Sequence, residues 1–324
     1  MSVKPPKRIA VLDRLDHAQG FGGAATLGLI DQALTLAGFE TLDAAPLLEQ
    51  TARRPERLPD AWVTVSDHAQ HQDAERFCHS QSLPHHYVDP TLSHGSETSP
   101  HQRDNGSNHL TIAPFLDPGP YFAAQRDAAS LRQNLSQRHA LPVDRSWIFL
   151  SIPSGCETSA LFSTFEILSR LYMLDWNLIV SAAEEHHDQA SQLLPGLSGK
   201  SRYLLQKYDV RERIAFMAAS DLCLSVERSG GGVMDLLEAL ASGLAVVANK
   251  SAETEAIVEN GVTGRLSAAG NPASLSNDLT FLLRHDNFLQ SYRGKTREQV
   301  AERHDIHVAA RRLRRMVTRE DDLC

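Results

Sequence analysis

Three consecutive glycines, Gly230, Gly231 and Gly232, stand directly before a segment from about Val233 to Ser242 whose apolar residues recur at helical spacing. Glycine lets a backbone approach a ligand closely, and the first turn of a helix presents unpaired N–H groups and the positive end of a dipole. Together they make a seat for a phosphate over Gly231 and Gly232. Glu238 follows about one and a half turns further on, close enough to reach a sugar or ribose attached to that phosphate. The spacing also admits a plainer reading. Asp235, Glu238 and Ser242 recur at i, i+3 and i+7, an ordinary solvated stripe opposite Leu236, Leu237 and Leu240. Spacing alone favours the stripe.

Histidine is the other residue type in excess. The chain has 15, and eight of them (His68, His71, His79, His85, His86, His94, His101 and His109) fall between residues 68 and 109. Imidazole is a common metal ligand, but structural zinc sites pair it with cysteines at set spacings. No such pair accompanies these histidines, and His68 with His71 is not the i, i+4 pair of a helical zinc site. No metal is expected. His68, just beyond the apolar run Ala61–Val65, is a candidate general base, set against the plainer reading of a polar loop histidine. From Ser93 to His109 there is no aliphatic or aromatic residue, so nothing apolar offsets the entropy of ordering the segment. It reads as an exposed polar loop.

Composition narrows the class. A length of 324 residues implies about two domains. The formal net charge of −8 argues against a nucleic-acid partner. Uninterrupted apolar runs such as Leu244–Ala248 are far shorter than the roughly 18 residues of a membrane span. Lys4, Lys7 and Arg8 precede Ile9–Leu12, but Asp13 and Arg14 cut that run short of a signal peptide. Four scattered cysteines (Cys78, Cys156, Cys223 and Cys324) suit a reducing compartment, and the expected location is cytoplasmic. Near the C-terminus Arg311, Arg312, Arg314 and Arg315 flank Ala310, Leu313 and Met316–Val317. This amphipathic pattern leaves peripheral contact with an anionic membrane open, although a solvated face is the commoner meaning.

The elements that must position these residues alternate. Ile9–Leu12, Thr41–Ala45, Ala61–Val65 and Tyr87–Val88 read as strands, with a helix from about Ala24 to Ala37 carried by Leu27, Ile30, Leu34 and Leu36 and closed by Gly38. Ala113–Pro120, with two prolines close to a glycine, reads as a domain junction. Beyond it Trp147–Ile152, Trp176–Ser181, Leu222–Val226 and Leu244–Ala248 read as buried strands. Helices fall over Gln125–His139, Ala160–Tyr172, Glu184–Leu194, Ile214–Ala219 and Val233–Ser242, and three more close the chain. The pattern predicts an α/β protein of two Rossmann-like, doubly wound domains facing each other. The first spans residues 1–113 and is reduced, with a polar loop over 93–109; the second spans 114–324.

The run LLEALASGLAVVA followed by IVENGVTGRL, within Ser220–Arg265, resembles the C-terminal half of the group 1, or family 4, retaining glycosyltransferases of GT-B fold. Gly22–Gly23 before the first helix resembles that family's N-terminal glycine loop. Ala113–Gln125 (APFLDPGPYFAAQ) resembles its interdomain passage, and Asn260–Leu283 its closing turn and helix. The resemblance implies transfer of a sugar from a nucleotide-sugar donor to a glycan or lipid-linked glycan acceptor, with no metal and no further cofactor. It implies a donor site over Glu238, Gly231, Gly232, Gly22 and Gly23, with Glu238 on the nucleotide ribose. The family's donor motif is E-x7-E, and its first position falls here on Gly230. Glu227, three residues upstream, is with His68 one of two candidates for a catalytic group. The segment Pro153–Ser159 holds no basic residue where the family places cations against the diphosphate.

Two other readings follow from these departures. One is a catalytically inactive glycosyltransferase-like protein that partners an active enzyme or binds a glycan or nucleotide. The other, more remote, is an NAD-dependent oxidoreductase, because Gly20-Phe21-Gly22-Gly23-Ala24-Ala25 matches G-x-G-x-x-A and Asp43 ends the second strand. That fingerprint wants its first glycine directly after the strand, and Asp13–Gln19 intervene.

Overall fold

Apolar runs with few interruptions make the strands here, and the two sheets differ in how continuous those runs are. The computed structural model describes residues 8–12, 23–43, 61–65, 85–89, 101–102, 108–111, 114–153, 156–197, 202–207, 209–225 and 233–318. The chain divides into two compact units. The first takes Met1–Ala18, Gly22–Leu116 and Arg303–Cys324; the second takes Gln19–Phe21 and Asp117–Glu302. The interdomain break anticipated at 113/114 lies three residues before this crossing. Chain order alone does not reveal that the last helix packs with the first unit.

In the first unit, β1 (Arg8–Leu12), β2 (Glu40–Asp43), β3 (Ala61–Val65), β4 (His85–Asp89), β5 (His101–Gln102) and β6 (Asn108–Thr111) form a sheet in the order β2-β1-β3-β4-β6-β5. All pairs are parallel except β5 with β6. The segment read as a polar loop over 93–109 therefore supplies one strand and half of another. A sheet ladder is built from backbone N–H and C=O groups, and strands at the margin of a sheet can pair without an apolar sequence. Helix α1 (Gly23–Leu36) ends at Gly38, whose φ of +89° is the left-handed cap expected of it. Its buried seam is Ile30, Ala33, Leu34 and Ala37, spaced i, i+3, i+4, i+7, whereas Leu36, expected in the stripe, is 46% exposed. Leu36 lies about 200° around the helix from Leu34, off that seam. The core is completed by Phe39, Phe115 and the C-terminal helix (Ile306–Thr318), through Ile306, Ala309, Ala310 and Leu313.

The second unit is a fully parallel sheet of β7 (Ser146–Ile152), β8 (Trp176–Ala182), β9 (Arg202–Lys207), β10 (Leu222–Ser225), β11 (Ala245–Lys250) and β12 (Gly264–Ala268), in the order β12-β11-β10-β7-β8-β9. Relabelled from its own first strand this is 3-2-1-4-5-6, the Rossmann order. The central strands are buried on both faces, as continuous apolar runs require. Nine α-helices lie between α1 and the C-terminal helix among the described residues. These are α2 (Gly119–Arg126), α3 (Ala128–His139), α4 (Thr158–Ser169), α5 (Glu184–Leu193), α6 (Val210–Ala219), α7 (Val233–Ala241), α8 (Ala252–Ile257), α9 (Pro272–Arg284) and α10 (Asp286–Gln299), before α11, the C-terminal helix. The helix expected over Gln125–His139 is two, broken at Asp127. Ile148, Leu150, Leu178 and Val180 on one sheet face pack with Leu161 and Leu168 of α4 and Leu275 and Leu279 of α9.

The strand order reverses between β7 and β10, which lie side by side although β8 and β9 separate them in sequence. Crossover helices leave such neighbours in opposite directions, opening a crevice at their carboxyl ends where ligands of this architecture bind.

Candidate functional site at the carboxyl edge of the second sheet

Three elements bring charge to that crevice. β7 brings the hydroxyl of Ser151, its penultimate residue. Helix α6 is started by Asp209, whose Oδ1 accepts from the backbone N–H of Arg211 (3.0 Å) and Glu212 (2.9 Å), and this places Arg213 in its first turn. Helix α7 carries Asp235 and Glu238 at i, i+3, on one face.

Arg213 joins them. Its Nη2 donates to Asp235 Oδ1 at 2.5 Å, its Nε to Glu238 Oε2 at 2.9 Å and its Nη1 to Ser151 Oγ at 2.8 Å. Ser151 Oγ in turn donates to Asp235 Oδ2. The guanidinium carbon lies 5.3 Å from the centroid of the Phe149 ring. Side-chain exposure rises from 2% at Arg213 through 11% at Asp235 to 17% at Glu238. Asp235 and Ser242 are buried residues, so the stripe of Asp235, Glu238 and Ser242 does not face solvent. The cause is Arg213, which crosses from α6 and supplies the charge that burial of α7's polar side requires.

One guanidinium faces two carboxylates, and burial adds to their conflict. Desolvation pushes the Asp235 carboxyl above its usual value; the Arg213 charge opposes that, Glu238 adds to it, and the Ser151 hydrogen bond opposes it. Cys223, next to Phe149 in register on β10, is fully enclosed. Its thiol is pushed up to about 12: desolvation raises it most, Arg213 opposes that, and Asp235 and Glu238 add to it. On β8, Ser181 stands level with Ser151 and on the same face; it is buried, and its Oγ has no partner among the described residues.

A second ionic cluster sits at the opposite, amino edge. Asp221 accepts from Arg132 Nη1 (3.0 and 2.9 Å), Arg293 Nη1 (3.0 Å) and the backbone N–H of Trp147 (2.8 Å). It ties α3, α10 and β7 to the start of β10 and fastens these elements together.

Of the residues singled out by sequence, Glu238 is the one fully placed at this edge. Gly23 opens α1 in the first unit. Gly22, His68, Glu227, Gly230, Gly231 and Gly232 lie outside the described residues. Arg213, Ser151 and Asp235 were not singled out as site residues. The available signal was Arg213 itself, the one charge leading the otherwise apolar run RIAFMAA over 213–219. Among the described residues no group of His, Cys, Asp and Glu could hold a metal ion, and no helix is long and apolar enough to cross a membrane.

Paired Rossmann-like units, the second wound in the 3-2-1-4-5-6 order, are the architecture of the GT-B glycosyltransferases, and comparison with known proteins agrees. A family model, glycosyl transferases group 1, matches residues 161–285, a stretch within the second unit that contains Arg213, Asp235 and Glu238. No curated protein sequence matches the chain. The chain is similar in structure to a glycosyltransferase from Rickettsia africae ESF-5, at 12% identity and a TM-score of 0.72, covering 98% of this chain and 100% of that one. It is also similar to the sucrose-phosphate synthase of Thermosynechococcus elongatus (11% identity, TM-score 0.69, covering 98% and 100%). A third likeness is to Anabaena Alr3699/HepE, solved in complex with UDP-glucose (15% identity, TM-score 0.65, covering 98% and 100%). At these identities the likeness establishes the fold.

Proposed function

We propose that this chain is a glycosyltransferase that moves a sugar from a nucleotide-sugar donor to a glycan or lipid-linked glycan acceptor. The observation that carries the reading is the Glu238 carboxylate, held partly exposed at the carboxyl edge of a Rossmann-order sheet, inside the stretch that the glycosyl transferase group 1 model matches. In this reading Glu238 accepts hydrogen bonds from the ribose hydroxyls, and the backbone around Gly231 and Gly232 receives the diphosphate. Gly22 and Gly23 are counted with the donor-binding residues, and the rest of the first unit serves the acceptor. In the transfer, the bond from the anomeric carbon to the diphosphate breaks, the bond to the acceptor oxygen forms, and the acceptor hydroxyl loses its proton. Stabilising the departing nucleoside diphosphate is then the main electrostatic task. His68 and Glu227 are the candidates for handling the proton. No metal or further cofactor enters the scheme.

Uridine nucleotides are the first to test, since Anabaena HepE was solved with UDP-glucose. Titration calorimetry with UDP, GDP and UDP-glucose is expected to give binding that Glu238→Ala weakens about tenfold or more, the usual cost of deleting a charged hydrogen-bond partner. Release of nucleoside diphosphate from UDP-glucose should accompany it. Absence of any nucleotide binding at millimolar concentration, with Glu238→Ala indistinguishable from the parent, rejects the reading. Binding without release or transfer identifies a non-catalytic nucleotide-binding protein.

A further inference from the structure

Burying a guanidinium is costly, and an apolar side chain of similar volume often serves stability as well as a buried ion pair does. Arg213 is nevertheless enclosed, and among the described residues it donates to three different side chains: Ser151 of β7, and Asp235 and Glu238 of α7. Asp235 alone would match its charge. With Ser151, Asp235 also fixes the plane of the fork, because both its oxygens are engaged, one by Arg213 and one by Ser151. The bond from Nε to Glu238 is thus surplus to neutralisation, and it falls on the most exposed of the three charged groups. It engages Oε2, and no described residue donates to Oε1. A planar fork anchored at two points and bonded at the third restricts the glutamate to few rotamers, which a flexible ammonium would not do.

We infer that Arg213 is a positioning residue of the nucleotide site: by holding Oε2 it fixes the Glu238 carboxylate with Oε1 presented to the vicinal hydroxyls of a ribose. Asp235 and Ser151 set the guanidinium, and the guanidinium sets the glutamate. The hydrogen bond is formed before the ligand arrives, so the ligand does not have to immobilise the side chain. This inference rests on the reading of Glu238 as a ribose ligand.

The test compares UDP with 2′-deoxy-UDP, and GDP with 2′-deoxy-GDP, by calorimetry on the full chain. The parent is expected to favour the ribonucleotide by about tenfold or more, and Glu238→Gln to reduce that ratio. Arg213→Lys keeps the charge but not the fork. The double variant Arg213→Met with Asp235→Leu removes the buried pair together and leaves no lone charge behind. In both the ratio is expected to fall toward one, with circular dichroism unchanged. Asp235→Asn, nearly isosteric, loosens one anchor and is expected to narrow the ratio if either of the others fails to fold. If the parent binds no nucleotide, or discriminates and Glu238→Gln discriminates equally, the ribose reading itself is wrong. If Glu238→Gln loses discrimination while the folded Arg213 and Asp235 variants keep all of it, Arg213 is a structural residue and the inference is overturned.

Discussion

Asp235 is the group through which the Arg213–Asp235–Glu238 cluster should register pH. Its carboxyl is held above the usual value, chiefly by burial, with Arg213 of α6 and Ser151 of β7 pulling the other way and Glu238 of its own helix pushing with it. Cys223 of β10 also faces the cluster, but its thiol, pushed up to about 12, stays neutral across the working range. An acid with a raised folded value binds its proton more tightly in the native state than in the unfolded chain. From the unfolded value, about 3.9 for aspartate, up to the raised folded value, the native state holds more protons, and stability declines as pH rises. Asparagine has no proton to lose. The stability of the parent minus that of Asp235→Asn should therefore decrease with increasing pH through that window and flatten above it, as read from urea midpoints. A difference that grows with pH would mean that Arg213 outweighs burial. Cys223 gives an independent check at the same scale. In native protein at mildly alkaline pH iodoacetamide should spare Cys223 and label the partly exposed Cys156, with peptide mass mapping as the readout. Equal labelling of the two would show that the centre of β10 opens readily.

At the scale of elements, two glycines separate conformational strain from steric exclusion. Gly243, after α7, has φ of +76°, and a Cβ there would run into the Gln125 side chain of α2. Gly264 opens β12 opposite Val246 in register, and a Cβ there would meet the Val246 carbonyl oxygen. Gly243→Ala is expected to cost about 1–2 kcal/mol for the left-handed backbone, plus a shift of one flexible side chain. Gly264→Ala has to move the β11–β12 ladder itself and should lower the melting temperature more. The reverse order would mean that the Gln125 contact is the more rigid one. The same elements explain what the sequence could disclose. β7, β8, β10 and β11 are buried on both sides and so are written as apolar runs. β5, β6, β9 and β12 lie toward the sheet margins and carry mixed sequences such as RYLLQK and GRLSA, in which no alternation stands out. Glu238 was legible through the resemblance of the α7–β11 run to a known family. The cluster around it was not, because Asp235 at i and Glu238 at i+3 fit a solvated helix face equally well. What decides between the two is Arg213, 22 and 25 residues upstream on another helix.

At the scale of the whole molecule, the chain leaves the first unit after Leu116 and re-enters it at Arg303. The passage is secured by backbone bonds between the two crossings: Leu116 N–H donates to His304 O at 3.0 Å, and Ile306 N–H to Leu116 O at 2.9 Å. The imidazole Nδ1 of His304, a buried residue, adds a bond to Pro114 O at 2.7 Å. Beyond it α11 buries Ile306, Ala309, Ala310 and Leu313 against the α1 seam, while Arg311 and Arg315 remain on the exposed face. The first unit's core is thus closed by the last helix of the chain, and a defect there should be felt some 280 residues away in sequence, at Ile30–Leu34. Leu313 is fully buried, and Leu313→Ala should remove about 2–5 kcal/mol from the unit that contains α1. Native-state hydrogen exchange localises the loss. Amides of α1 and β2 are expected to exchange faster in the variant by a larger factor than those of β7 and β8. Uniform acceleration across both units would instead mean that the two unfold as one, and an unchanged α1 would show that its core does not depend on the C-terminal helix.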